Sequence, residues 1–370
     1  MKIQQINCFL LTVPLVTPFK TALRTVEVVQ DLVVSIECEG FTGFGEAAPT
    51  LAITGESLSS MRYIVEQVLT PKLVGKSLLD FNQLLQIVQQ SVVGNTSAKA
   101  AVEIALYDLK AQIAGMPLNQ LLGGGPTTLS TNLTISVNDT KTMIEDALKA
   151  VAQGYQQLKL KVGTDLQQDI QRVIEVSRAV PANVSIRLDV NQGWSAKQSI
   201  YALSQIEQAG VVLELVEQPV KAKDIAGLKA VTQAVHTPVM ADESAFSPEQ
   251  VIQLLQQQAV DIINIKLMKT GGISKALLIA QIADLYQISC MMGCMLESAV
   301  SVGAAAHVAS AMSPQISKFD LDGPALCQFN PCEGGTQFHH SSIVLNDSPG
   351  LGILKLNHLQ SFAVDGYAKR

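Results

Sequence analysis

Five ionisable residues recur through the middle of this chain at intervals of 28, 28, 25 and 24 residues: Lys161, Asp189, Glu217, Asp242 and Lys266. Each interval is about one strand-plus-helix unit, since a βαβ crossover takes roughly 30 residues. Each residue also closes a short strand-like run: QLKLK, SIRLD, LELVE, PVMAD and IINIK. Units repeated at this pace build a parallel sheet that can close into a barrel, and barrel chemistry collects at the C-terminal strand ends. Five adjacent strands then present lysine, acid, acid, acid and lysine to one rim.

The rhythm extends over eight expected strand ends, near Ser136, Lys161, Asp189, Glu217, Asp242, Lys266, Met292 and Asp320. Eight suffice for closure. Amphipathic helical stretches separate them, for example 141–153, 166–179 and 273–286. The first part of the chain follows a different order. Residues 3–13 and 28–39 read as β segments. Gly40, Gly43 and Gly45 punctuate a turn and a third strand ending at Glu46. Helical patterns follow at 58–69, 80–90 and 97–114. Strands first and helices afterwards indicate an α+β domain. Leu122-Gly123-Gly124-Gly125-Pro126 reads as the junction. The expected division is an α+β capping domain over 1–120, a barrel over 121–325 and a strand-like segment over 326–370 that packs back on the capping domain. No eighth helix is expected after Asp320.

At 370 residues there is length for both domains. A net charge of −6 without a clustered basic face gives no footprint for nucleic acid. No apolar run reaches the roughly 18–20 residues of a membrane span. The start, MKIQQINCFLLTVPL, lacks the long apolar core and cleavage site of a signal peptide. Six cysteines are spread over the chain. The pairs Cys290/Cys294 and Cys327/Cys332 lack the close partners of a zinc site. A reduced, cytoplasmic protein is the expectation.

The lysines and acids imply a reaction. Removing the α-proton of a carboxylate creates a dianionic enediolate, so positive charge must stand where that charge develops. Three carboxylates on consecutive strand ends suit Mg²⁺, a hard cation with oxygen ligands. Taken singly, an acid at a strand end reads better as a helix N-cap. Three in register between lysines read as a metal site, with Asp189, Glu217 and Asp242 as ligands. Lys161 and Lys266 end strands two and six, on opposite sides of an eight-stranded barrel. One amine then takes a proton from one face of a substrate and the other returns one to the opposite face, inverting the centre. Lys159 shares a strand face with Lys161. Its ammonium, with desolvation, is expected to lower the pKa of Lys161. For Lys266 a nearby Asp242 opposes such a shift. Asn191 and Glu243 are candidates to orient these groups or are structural.

The motifs KLK (159–161), LDVNQGW, VEQP, ADES and NIKLMKTGG resemble the enolase superfamily, and within it the muconate-lactonizing subgroup. The resemblance covers essentially the whole chain. It implies an α/β architecture: a modified (β/α)7β TIM barrel with an N-terminal α+β capping domain. It also implies Mg²⁺, and Lys161, Lys266 and Lys159 as the catalytic set, with Lys159 also facing substrate. Asp320-Leu321-Asp322 resembles the Asp-x-Asp signature of dipeptide epimerases of the L-Ala-D/L-Glu type, where the acidic pair holds the substrate ammonium. As physics, two carboxylates suit a cation; as a local motif, Asp-Gly-Pro is also a turn. The same resemblance places Lys20, Thr21, Arg24 and Ile53-Thr54-Gly55 in the loops closing over the substrate side chain. Thr134 falls near the substrate carboxylate. Met295-Leu296-Glu297-Ser298-Ala299 faces the first residue of the dipeptide, with Glu297 and Ser298 as contacts.

The implied activity is Mg²⁺-dependent epimerisation at the C-terminal residue of an L,L-dipeptide, through a metal-stabilised enediolate. L-Ala-L-Glu and a hydrophobic dipeptide are the competing substrates, and a homo-oligomer is implied. An N-acylamino acid racemase, an o-succinylbenzoate synthase or a cycloisomerase shares the scaffold, but those substrates lack the free ammonium. A non-enzymatic binding barrel fits poorly with every expected catalytic position filled. His307, within AAAHVAS, reads as a packed core histidine, and Lys269-Thr270-Gly271-Gly272 as a turn into a helix.

Overall fold

In the computed structural model the described residues are 1–21 and 25–362. Arg24 lies outside them. Three antiparallel strands, Gln5–Lys20, Thr25–Cys38 and Phe41–Ala47, form a meander. The first strand runs past the expected end at residue 13. Proline has no N–H for a ladder, and the register shifts between Pro14 and Phe19, so the strand crosses Pro14 through an irregularity and resumes. Gly40 lies in the turn, and Gly43 and Gly45 lie in the third strand. Helix Thr96–Ala114 lies directly on them, and a Cβ at Gly45 would overlap the Ala101 carbonyl oxygen. Fourteen residues of that helix are buried, Ser97, Lys99, Glu103 and Asp108 among them, so it is enclosed around most of its circumference.

The expected helix over 58–69 is longer and irregular. Leu58–Tyr63 is α-helical, Ile64–Leu69 widens into a π turn, and Thr70–Leu73 completes it with Pro71 in its first turn. Phe81–Gln90 follows a 3₁₀ turn at Leu78–Asp80.

The second body is an eight-stranded parallel sheet of Leu133–Ile135, Gln157–Lys161, Ser185–Asp189, Leu215–Glu217, Val239–Ala241, Ile262–Ile265, Ser289–Gly293 and Ile316–Asp320. These are paired in that sequential order. Alternating helices cover the outside and bury apolar stripes against it. Leu158, Leu160, Leu188, Val216 and Ile263 are all fully buried, each worth about 1.5–3 kcal/mol. Among the described residues no ladder joins the first barrel strand to the eighth. Side chains close that seam: Asn132 Nδ2 donates to Asp320 Oδ1 (2.8 Å), the Thr134 N–H to Asp322 Oδ2 (2.6 Å), and the Leu321 N–H to Thr131 Oγ1 (2.8 Å).

After Asp320 only one helical turn, Gly323–Leu326, appears. Short strands follow. Leu359–Ser361 pairs with the first strand of the meander, with Phe9 opposite Ser361. No helix of the described residues is long and apolar enough to cross a membrane.

Candidate active site

Strand register brings the acids together. Lys161 pairs with Asp189, Asp189 with Glu217, and Glu217 with Met240, two residues before Asp242. A separation of two keeps side chains on one face, so all four point to the same rim. The chain turns sharply there. Gln218, immediately after Glu217, takes a φ of 36°, a left-handed conformation that costs energy in a non-glycine residue. In return its Oε1 accepts from the N–H groups of Asp242 (2.9 Å) and Ser244 (3.1 Å).

The lysines lie among the acids. Lys159 Nζ is 2.6 Å from Glu217, 2.7 Å from Asp320 and 3.0 Å from Asp189. Lys161 Nζ is 2.5 Å from Asp189 Oδ2 and donates to Asn191 Oδ1 at 3.3 Å. Lys266 Nζ is 2.8 Å from Asp242 Oδ2 and 3.9 Å from Glu217. Lys161 and Lys266 are four strands apart and both line one cavity of about 70 Å³. Asn191, Glu243, Asp320, Asp322 and Thr134 share its floor. Phe19, Thr21, Thr50 and Ile53 come from the capping side, with Met295 and Leu296 on the flank. The Phe19 ring centroid lies 5.9 Å from Lys161 Nζ, within cation–π range.

Electrostatics follow from burial and pairing. Burial opposes ionisation of Asp189 and Asp242, but the lysine ammonium groups outweigh it and hold both carboxyls well below the usual range. Glu217 goes the other way: burial, with the neighbouring Asp189 charge, pushes it up to about 8. Burial and Asp242 raise Glu243 to about 7, and both its oxygens are buried without a hydrogen bond. Burial and Asp320 raise Asp322 to about 6.

Burial would lower Lys159, yet Asp189, Asp320 and Glu217 raise it well above an ordinary lysine. Three carboxylates therefore surround the Lys159 ammonium and match its charge. Lys266 is also raised, Asp242 and Glu217 prevailing over burial.

The donor set fits a divalent cation. Asp189, Glu217 and Asp242 are at most 1% exposed on three adjacent strand ends. Burial, and then their crowding, pushes Glu217 toward protonation, and Glu243 adds two unpartnered oxygens. A hard cation relieves such a cluster. Among the described residues no three acidic, His or Cys groups already converge on one point; lysine ammonium groups stand between the carboxylates.

This geometry coincides with what comparison with known proteins finds. Residues 5–123 match the mandelate racemase / muconate lactonizing enzyme N-terminal domain, and residues 142–354 match the enolase C-terminal domain-like family. This chain belongs to the enolase superfamily. It is 49% identical to the L-Ala-D/L-Glu epimerase of Clostridium acetobutylicum, over 94% of this chain and 97% of that protein. It superposes on the substrate-liganded L-Ala-D/L-Glu epimerase from Bacillus subtilis with a TM-score of 0.95 at 46% identity, covering 96% and 99% of the two chains. Against the dipeptide epimerase from Enterococcus faecalis complexed with Mg and L-Leu-L-Tyr the TM-score is 0.92 at 38% identity, covering 95% and 99%.

Within this superfamily frame, two expected contacts sit elsewhere. Ser298 does not line the cavity. It N-caps helix Ala299–Ala311 and donates its N–H and hydroxyl to Glu46, each at 2.9 Å. Glu297 is buried beneath the loop, where Oε1 accepts from the Met295 N–H (2.6 Å) and burial raises its pKa to about 7. Both are committed to holding the loop, and Met295 and Leu296 face the cavity instead. Sequence reasoning missed Asn264, whose Nδ2 donates to Glu217 Oε1 at 2.7 Å; its position two residues before Lys266 was the available signal. It also missed the burial of Lys269, which lies fully enclosed just before the glycine turn into helix Ile273–Leu285.

Proposed function

We propose that this chain is a Mg²⁺-dependent dipeptide epimerase, an isomerase inverting the α-carbon of the C-terminal residue of an L,L-dipeptide. The observation that carries this is the pair of lysines across one cavity, Lys161 and Lys266, with Asp320 and Asp322 on the eighth strand beside them. Asp189, Glu217 and Asp242 would hold a divalent cation, which when bound would supply positive charge for the substrate carboxylate. Lys161 and Lys266 exchange that proton on opposite faces. Lys159, fixed by three carboxylates, adds a stationary positive charge near the substrate carboxylate. Asp322, with Asp320 behind it, receives the free ammonium, and Thr134 braces Asp322 through its N–H.

Apolar Met295 and Leu296, which fill the flank of the cavity, together with the L-Ala-D/L-Glu epimerase relatives, favour L-Ala-L-Glu as substrate, with Arg24 proposed to meet its side-chain carboxylate. In this reading residues 1–120 cap the barrel of 121–325 and 326–370 pack back on the cap. A cytoplasmic location and a homo-oligomeric state complete the proposal, supported by six cysteines without a disulfide and by the family resemblance.

The test is proton NMR in D₂O with Mg²⁺ and pooled L,L-dipeptides led by L-Ala-L-Glu. Loss of the C-terminal α-proton signal with growth of the L,D diastereomer is the expected result. Turnover only after N-acetylation would replace this reading with an acylamino acid racemase.

A further inference from the structure

The reaction proposed above leaves one buried cation unused. Lys269 is fully buried and does not line the cavity. Burying an ammonium is costly unless oxygens surround it, and four do. Nζ donates to the carbonyl oxygens of Asp242 (2.6 Å), Asn264 (2.8 Å) and Ala245 (3.3 Å), and it pairs with Asp242 Oδ1 at 2.6 Å. The other oxygen of the same carboxylate, Oδ2, is the one against Lys266 at 2.8 Å. Asp242 is therefore gripped on opposite oxygens by two lysines one helical turn apart, with Lys266 on the cavity side and Lys269 behind. Rotation of the carboxylate would break the rear contact.

Lys161 is held differently. Its partner Asp189 is fixed by Lys159 on the shared Oδ2 and by the Asn191 N–H on Oδ1, at 3.0 and 2.9 Å. No part of that arrangement involves Lys269.

We infer that Lys269 is a positioning residue for one of the two bases: it clamps Asp242 Oδ1 so that Oδ2 stays against Lys266 and holds that amine to its face of the substrate. The inference rests on the two-base reading above. Its distinguishing consequence is asymmetry, since loss of the clamp disturbs Lys266 and leaves Lys161 in place.

The test uses Lys269→Gln, which retains two N–H donors for the carbonyls, alongside Lys269→Met. α-Proton exchange in D₂O is followed separately from L-Ala-L-Glu and L-Ala-D-Glu. Lys266→Ala identifies the diastereomer that Lys266 serves. Exchange from that diastereomer is expected to slow about 100-fold in Lys269→Gln, the scale of an ångström-sized misplacement. The other diastereomer should slow by less than about 3-fold. Equal slowing of both, as general structural damage would give, overturns the inference, and so does no slowing. Absence of exchange in the unmodified protein would instead sink the epimerase reading. The clamp is then decided by a crystal structure of Lys269→Gln: departure of Asp242 from its position against Lys266 supports it, and an unmoved Asp242 refutes it.

Discussion

Glu46, at the end of the capping meander, lies completely buried against Ser298, at the start of a barrel helix, and accepts both its N–H and its hydroxyl at 2.9 Å. Ser301 repeats the arrangement one turn later, with N–H and hydroxyl each at 2.9 Å. A carboxylate at a helix N-terminus meets unpaired donors and the positive end of the helix dipole. The loop that precedes Ser298 carries Met295 and Leu296 into the cavity.

Glu46→Ala should therefore lower the unfolding free energy by more than about 3 kcal/mol, since it removes four hydrogen bonds and each bond to a charged group is worth about 1.5–3 kcal/mol. Urea titration measures this. A change below about 0.5 kcal/mol, typical of an unconstrained surface site, would show that the contact is not a latch.

His307 makes stability depend on pH. It is fully buried, its Nδ1 accepts the Asn119 N–H at 3.1 Å, and burial holds its pKa down to about 4. An unfolded histidine titrates near 6.5. Between those values the unfolded chain binds the proton and the folded chain does not. The stability from neutral His307 is thus present above about pH 6.5 and is lost as pH falls toward 4, by about 3 kcal/mol. Asp108, raised by burial to about 6, has the opposite sign and cancels in a comparison with His307→Gln. The stability difference between the two proteins should shrink across that window in denaturant melts. A difference that stays constant with pH rejects the assignment.

Lys161→Ala and Lys266→Ala should each reduce epimerisation by about 10³-fold, the scale of losing a general acid or base. Each variant should keep α-proton exchange from the one diastereomer that faces the surviving lysine. Exchange lost equally from both diastereomers in both variants would contradict bases on opposite faces.

Mg²⁺ should raise the melting temperature, with a stabilisation of about 2.7 kcal/mol at a hundredfold excess over Kd. Glu217 stands at about 8 before the cation binds and must ionise to serve as a ligand, so binding at pH 7 should release about one proton. Calorimetry in buffers of different ionisation enthalpy reads that proton directly. Glu217→Gln should retain the metal-free melting temperature and lose the Mg²⁺ shift; an undiminished shift would remove Glu217 from the ligand set.

Asp322→Asn removes charge but keeps an oxygen for the Thr134 N–H. KM for the dipeptide should rise roughly 10- to 100-fold, the equivalent of one charge-assisted hydrogen bond, with little change in Tm. Steady-state kinetics with free and N-acetylated dipeptide make the test. Equal KM increases for both would mean that Asp322 does not meet the ammonium.

The strand ends were legible because each couples a short apolar run to one charged residue at a steady spacing, a local pattern. Lys161, Asp189 and Glu217 end their strands in the structure, and Asp242 and Lys266 follow theirs by one residue. What the sequence hid depends on non-local partners. Lys269 looks like part of a glycine-rich turn until three carbonyl groups and Asp242 surround it. The resemblance places Ser298 toward substrate, and its partner Glu46, 252 residues earlier, leaves no local mark. The strand crossing Pro14 was hidden by the usual rule that proline ends pairing.

The seam between the first and eighth barrel strands has an evolutionary consequence. Asp320 and Asp322 bolt that seam, and they are also the groups proposed to greet the substrate ammonium. A descendant turning to N-acylated substrates cannot simply discard both carboxylates, because Asn132 and Thr134 would lose their partners and the barrel would loosen where it is least laced. Asparagine at 322 keeps its bolt while erasing the charge, because its amide oxygen still accepts the Thr134 N–H, whereas at 320 a single amide oxygen cannot serve both Asn132 and Lys159. Drift toward new substrate classes should pass through such isosteric steps before any smaller residue becomes tolerable.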